Sequence, residues 1–139
     1  MEKKKILVLC TGNSCRSQIA HGFLQHMAAE KAIIYSAGIE THGVNPKAIF
    51  FMNEIGIDIS KHSSNLVSEY ADIDFDFVIT VCDHAHEKCP VIYSNAHKIH
   101  QNFPDPSKVN DSEEEIALAF RNTRNMIHDF CKSFTEKFL

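Results

Sequence analysis

Apolar residues fall along this chain in two alternating patterns, short unbroken runs and longer stripes at helical spacing. Ile6-Leu7-Val8-Leu9 is a continuous apolar run, as expected of a strand buried on both faces. From Ser17 to about Ala29, the residues Ile19, Phe23, Leu24 and Met27 recur with the period of a helix. Ala32 to Ala37 reads as a second strand, ended by Gly38. Asn45-Pro46 opens a helix with Pro46 in its first position, an apolar stripe of Ile49, Phe50, Met52 and Ile55, and Gly56 as its stop. Leu66 to Ala71 reads as a short helical segment, Phe75 to Val81 as a third strand, and Ala96 to His100 as a short fourth. Ser112-Glu113-Glu114-Glu115 combines a capping-box pattern with an acidic first turn. It starts a long final helix expected to bury Ile116, Phe120, Ile127, Phe130 and Phe134.

Strands that alternate with helices argue for a parallel sheet covered on both faces, an α/β fold. Sites in such sheets gather beyond the C-terminal strand ends. Cys10, Cys82 and the segment from Phe103 to Asp105 each follow an expected strand, which puts them on one edge of the sheet. With 139 residues and no repeat, linker or low-complexity tract, residues 1–139 form one expected domain.

Composition narrows the function classes. The charge of −4 provides no basic footprint for nucleic acid, and the run Lys3-Lys4-Lys5 reads as the solvated start of a strand. The apolar stretch Ile6 to Cys10 is too short for a signal peptide, and no window approaches the roughly 18 apolar residues of a membrane span. The expected compartment is the cytoplasm, where structural disulfides are rare. The five cysteines therefore call for a chemical or packing explanation.

The strongest chemical signal is Cys10-Thr11-Gly12-Asn13-Ser14-Cys15-Arg16-Ser17, a loop between strand and helix with the Cys-x5-Arg spacing of an oxyanion-binding loop. Such a loop aims backbone N–H groups inward and adds the positive end of a helix dipole. A tetrahedral oxyanion fits there, and Arg16 can clamp two of its oxygens. The same field favours a thiolate, so Cys10 is expected to be a nucleophile with a depressed pKa, helped by a hydrogen bond from Ser17. Cys15 is expected to pack in the first turn of the helix.

Two more thiols follow the third strand, in Cys82-Asp83-His84-Ala85-His86-Glu87-Lys88-Cys89. Near a thiolate-forming loop they suggest redox exchange. If this segment is helical, the Cα atoms of Cys82 and Cys89 lie ~10 Å apart. A disulfide spans about 4.4–6.8 Å, so closing it requires the segment to unwind. The spacing of Cys82, His84, His86 and Cys89 matches no tight zinc pattern, and no metal is expected. Asp105, stiffened by Pro104 and Pro106, is the candidate general acid. Cys131 reads as core, His42 as a surface residue whose alternative place is the rim of the site, and the remaining histidines show no ligand spacing.

Taken together, the Cys10–Ser17 loop, Tyr35-Ser36-Ala37-Gly38-Ile39-Glu40, Asn45-Pro46, Gly56-Ile57-Asp58-Ile59-Ser60 and Asp105-Pro106 resemble the low-molecular-weight tyrosine phosphatases. With Cys82 and Cys89-Pro90 the chain is similar to the thioredoxin-coupled arsenate reductases built on that fold. The resemblance implies a three-layer α/β fold, a four-stranded parallel sheet with helices on both faces. It implies arsenate as substrate, phosphate or sulfate as competing anions, thioredoxin as external reductant, no bound cofactor, and a monomer. It also implies roles: Cys10 attacks arsenate held by Arg16 and the amides of residues 11–17, Asp105 supplies a proton, a Cys10–Cys82 disulfide forms, and a Cys82–Cys89 disulfide follows. The alternative is phosphoester hydrolysis through a phosphocysteine on Cys10. Two departures from the pattern stand out. His21 and Asn65 occupy positions where acids that bind a monovalent cation are expected, and residues 100–104 lack the tryptophan common in the reductases.

Overall fold

The computed structural model describes residues 2–89, 93 and 95–139. Its elements are β1 (Lys4–Cys10), α1 (Arg16–Ala28), β2 (Ala32–Gly38), α2 (Pro46–Asn53), β3 (Phe77–Thr80), α3 (Asp83–Glu87), β4 (His97–His100) and α4 (Glu113–Phe138). The strands form one parallel sheet in the order β2-β1-β3-β4. From β1 the chain turns first to β2 on one side and then to β3 on the other, so the switch point lies between the ends of β1 and β3. Cys10 ends β1, and Cys82 follows β3.

Ile6 to Leu9 are fully buried, as the central position of their strand demands. Successive residues of β2 point to opposite faces. Ser36 meets His21 of α1 on one face, and Tyr35 meets Tyr70 and Phe75 edge-on at 5.1 and 5.3 Å on the other. The first face carries α1, α2 and α4 packed on one another. The second is covered by a 3-10 turn, Val67–Tyr70, which stands where the sequence suggested a helical segment over 66–71. Tyr93 seals this face by donating its hydroxyl to the Tyr70 carbonyl at 2.8 Å. Phe23, Leu24, Phe120 and Ile127 fill the helical layer, each contributing about 1.5–3 kcal/mol by burial.

Two expectations about buried faces need correction. On α2 the buried residues are Ala48, Phe51 and Met52, while Phe50 is 62% and Ile55 43% exposed. The face is set by Phe51, which stacks on Phe120 of α4 at 5.2 Å, and by Arg124, which donates to the Phe51 carbonyl at 2.9 Å. On α4 the buried stripe is Phe120, Thr123, Arg124, Ile127, Cys131 and Phe134, with Ile116 and Phe130 only partly covered. The capping residue is as expected, since the Ser112 hydroxyl accepts from the Glu115 N–H at 3.2 Å. Among the described residues no helix is long and apolar enough to cross a membrane.

Candidate active site

The loop from Cys10 to Arg16 is held from outside by the strand end and loop that follow β2. The carbonyls of Cys10, Thr11, Gly12 and Ser14 accept from the N–H groups of Ile39, Glu40, His42 and Asn45 at 2.8–3.3 Å. Because N–H and C=O point opposite ways across a trans peptide, carbonyls spent outward leave N–H groups turned to the inside of the loop. Asn13 has φ +46, a left-handed conformation that asparagine tolerates better than most residues. Fully buried, it ties the loop together. Its Nδ2 donates to Ser17 Oγ at 2.8 Å, its Oδ1 accepts from the Asn65 N–H at 2.8 Å, and its carbonyl accepts from Gln18 Nε2 at 3.1 Å. Gly38 lies so close that a Cβ there would sit 2.2 Å from the Glu40 carbonyl oxygen and 2.7 Å from the Asn13 nitrogen.

This loop floors a cleft of about 360 Å³ lined by Cys10, Arg16, His42, His84, Asp105 and Lys108, among others. His42 thus belongs to the rim, packed over Gly12 and bonded to Glu40 at 2.7 Å. The Arg16 guanidinium donates to the Phe103 carbonyl at 2.9 Å and pairs with Asp105 Oδ2 at 3.5 Å. Both side chains are largely covered, at 12% and 21% exposure, so the pair is shielded more than a surface ion pair. The other Asp105 oxygen accepts from the N–H and hydroxyl of Ser107 at 3.0 and 2.6 Å. The stiff Phe103-Pro104-Asp105-Pro106 segment therefore brings an acid to the guanidinium, as its prolines suggested.

Cys10 and Cys82 are buried reduced thiols hydrogen-bonded to each other across the switch point. Cys82 is drawn down to about 5 by the hydrogen bond from Cys10, then by the Thr11 hydroxyl, the Ala85 N–H and Arg16, against the cost of burial. Cys10 is pushed up by its hydrogen bond to Cys82 and by burial, against the pull of Arg16 and of the Ser17 N–H. The expectation of a depressed Cys10 is thus corrected. The two thiols titrate as a pair with Cys82 the more acidic member, because a second charge beside the first is unfavourable. Ser17 also acts differently from expectation. Its backbone N–H reaches Cys10, while its hydroxyl accepts from Asn13.

Cys82 caps α3, whose five residues leave Cys89 just beyond its end, half-buried and raised by that burial. Pro90, which completes the Cys89-Pro90 signature, lies outside the described residues. The α3 helix is moored to β4, since His100 takes Asp83 at 2.7 Å and stacks on His86 at 4.2 Å. Cys15 is buried at the base of α1 and pushed up to about 12 by burial, then by Asp105. Cys131 lies in the core. Among the described residues no group of three or more His, Cys, Asp or Glu side chains converges as a metal-ion cage.

Sequence reasoning missed two arrangements. One is the bond from Thr11 Oγ1 to both Cys82 Sγ and His84 Nδ1, each at 3.2 Å. The other is a histidine pair behind the loop. His21 and His62 lie ring to ring at 4.3 Å, His21 on Ser36 at 2.8 Å and His62 on Gln18 Oε1 at 2.9 Å. Burial, then His62, lowers His21 to about 3. The 40 residues between them carry no spacing that announces the pair.

The pattern of the low molecular weight phosphotyrosine protein phosphatases matches residues 5–138. The chain belongs to that family. An arsenate reductase of Halalkalibacterium halodurans is 45% identical over 136 residues, 98% of each chain. Arsenate reductase 2 of Staphylococcus saprophyticus is 47% identical over 134 residues, 96% of this chain and 98% of that one. Among solved structures, an arsenate reductase in its phosphate-binding state superposes with a TM-score of 0.84 at 31% identity, covering 98% and 99% of the two chains. The four-stranded parallel sheet and its helices are those of the family.

Proposed function

We propose that this chain is an arsenate reductase that uses Cys10, Cys82 and Cys89 in sequence and is recharged by thioredoxin. The observation that carries the reading is the hydrogen bond joining buried Cys82 to Cys10, which lines the cleft together with Arg16 and Asp105. A phosphatase of this family needs one thiol there; a two-electron reduction needs a second within reach.

Arsenate sits in the loop amides with Arg16 across two of its oxygens. Proton transfer within the thiol pair puts the thiolate on Cys10, whose sulfur bonds to arsenic. Asp105 protonates the oxygen that leaves as water. Cys82 then attacks the Cys10 sulfur. An S–S bond forms, the S–As bond breaks, and its electron pair stays on arsenic, which leaves as arsenite. Cys89 attacks Cys82, Cys10 departs as the thiolate stabilised by the loop, and the Cys82–Cys89 disulfide is presented for reduction. Two thiols lose the two electrons that arsenic gains. Thioredoxin restores them, so no bound cofactor is required. Every group comes from one domain of one chain, which suits a monomer, and the relay needs the reducing pool of the cytoplasm.

The test is arsenate-dependent NADPH oxidation coupled through thioredoxin and thioredoxin reductase. Turnover is expected, with loss of at least about a hundredfold in Cys89→Ser. Absence of turnover alongside steady hydrolysis of an aryl phosphate that survives Cys82→Ser would assign the site to phosphoester chemistry instead.

A further inference from the structure

The relay proposed above leaves one proton unaccounted for, and the inference made here rests on that reading. In the resting pair a proton bridges the two sulfurs in a hydrogen bond. When Cys10 bonds to arsenic as the thiolate, that proton ends on Cys82. Cys82 must shed it before its own attack, in a buried position with 3% exposure.

The geometry points to His84 as the outlet, a positioning residue that acts on Cys82 through Thr11. Thr11 Oγ1 lies 3.2 Å from Cys82 Sγ and 3.2 Å from His84 Nδ1. His84 itself is exposed on α3 and lines the mouth of the cleft. A hydroxyl donates one bond and accepts others, so it can hand a proton on while taking one up. The Cys82 S–H donates to Thr11 Oγ1, and the Thr11 O–H donates to His84 Nδ1. Transfer along this line leaves a Cys82 thiolate and a protonated imidazole, which releases its Nε2 proton to solvent. The final state has neutral His84 donating Nδ1–H to Thr11 and Thr11 donating to the thiolate. In that state His84 fixes the hydroxyl proton on the sulfur, and the thiolate keeps its donor throughout the attack.

Other charged groups near this line are identifiable. Arg16 and Cys10 face Cys82 from the β1–α1 loop, and Asp83, bonded to His100, flanks His84 on α3. Asp105, Lys108 and His42 share the cleft wall with His84. Of all these, only His84 is bonded to the hydroxyl that touches the Cys82 sulfur. Its neighbour His86 turns away to stack on His100, which makes it a matched control on the same helix.

The experiment measures the rate of Cys82 alkylation by iodoacetamide against pH, resolved by peptide mass spectrometry. It uses the full chain carrying Cys10→Ser, so that Cys82 titrates as a single thiol, with and without His84→Ala or His86→Ala. His84→Ala should move the midpoint up by about half to one pH unit, while His86→Ala leaves it in place. Alanine favours the helix, so α3 is retained. A midpoint that His84→Ala does not move, or that His86→Ala moves equally, overturns the proposal. In the otherwise unaltered chain, His84→Ala should slow the single-turnover release of arsenite about three- to tenfold below neutral pH, on the same bond energy. A shifted alkylation midpoint with no arsenite in either protein would keep the His84 outlet and discard the reductase reading. Unshifted alkylation with unchanged arsenite release would do the reverse.

Discussion

Asn13 and Gly38 show how much of the site is decided by single residues that perform no chemistry. Asn13 combines a left-handed backbone with three hydrogen bonds, and the two roles separate by mutation. Asn13→Ala loses the side-chain bonds and meets the steric cost of positive φ, whereas Asn13→Gly loses only the bonds. Chemical denaturation should show Ala destabilised by about 2–3 kcal/mol and Gly by about 1 kcal/mol less. Gly38→Ala places a methyl group 2.2 Å from the Glu40 oxygen, against backbone that has little room to yield. A loss of at least about 2 kcal/mol and a displaced oxyanion loop are expected, read by thermal unfolding and by weakened phosphate binding. The chemical residues of the loop were legible because their spacing is itself the mechanism. What one strand end does to another was not legible. That Cys82 would be more acidic than Cys10 depends on contact across 71 intervening residues, and no local pattern encodes it.

At the scale of elements, the long periodic segments were legible as elements, while the buried face of the short α2 was not. The α1 helix, the start of α4 and the first two strands lie within a residue or two of their expected bounds, the usual uncertainty of helix ends. The eight residues of α2 carry apolar side chains on more than one face, so tertiary partners chose between them. The choice was made by α4, through Phe120 and Arg124, and by a clamp at the end of α2. Glu54 takes Arg121 at 3.0 and 2.7 Å and Arg124 at 2.8 Å. Its hydrogen bonds to Arg121 and then Arg124 hold its carboxyl at about 2, below the ordinary 4.5. The folded chain therefore binds this proton more weakly than the unfolded one. The clamp contributes fully above pH 4.5 and is lost as pH falls towards 2. Glu54→Gln should lower Tm at pH 7 and match the parent protein near pH 2 in a thermal-unfolding series.

The whole molecule is organised around one edge of one sheet. The order β2-β1-β3-β4 brings the ends of β1 and β3 side by side, which is what joins an oxyanion loop to a second thiol. That Cys10 and Cys82 share one edge of a parallel sheet, though not the strand order, followed from alternating strands and helices in the sequence. The histidine pair behind the loop did not, and it gives the fold its own response to acid. His21 is held at about 3 by burial, then by His62, against an ordinary 6.5, and His62 is lowered in the same direction. Between those values only the unfolded chain accepts the His21 proton, so stability falls as pH drops from 6.5 towards 3. His21→Asn should flatten that decline in denaturation curves recorded across the window, with His62 supplying the remaining slope.

The central claim is that three thiols act in order on one bound oxyanion. It is tested most directly by a single turnover without reductant. The fully reduced chain is mixed with excess arsenate, quenched with acid and alkylated, and arsenite and disulfides are then counted together. The account predicts about one arsenite per chain, as one pair of thiols supplies two electrons, with Cys82 joined to Cys89 and Cys10 again alkylatable. In Cys89→Ser the disulfide should stop at Cys10–Cys82. Arsenite formed with no disulfide among these cysteines, or a disulfide that does not depend on arsenate, would contradict it.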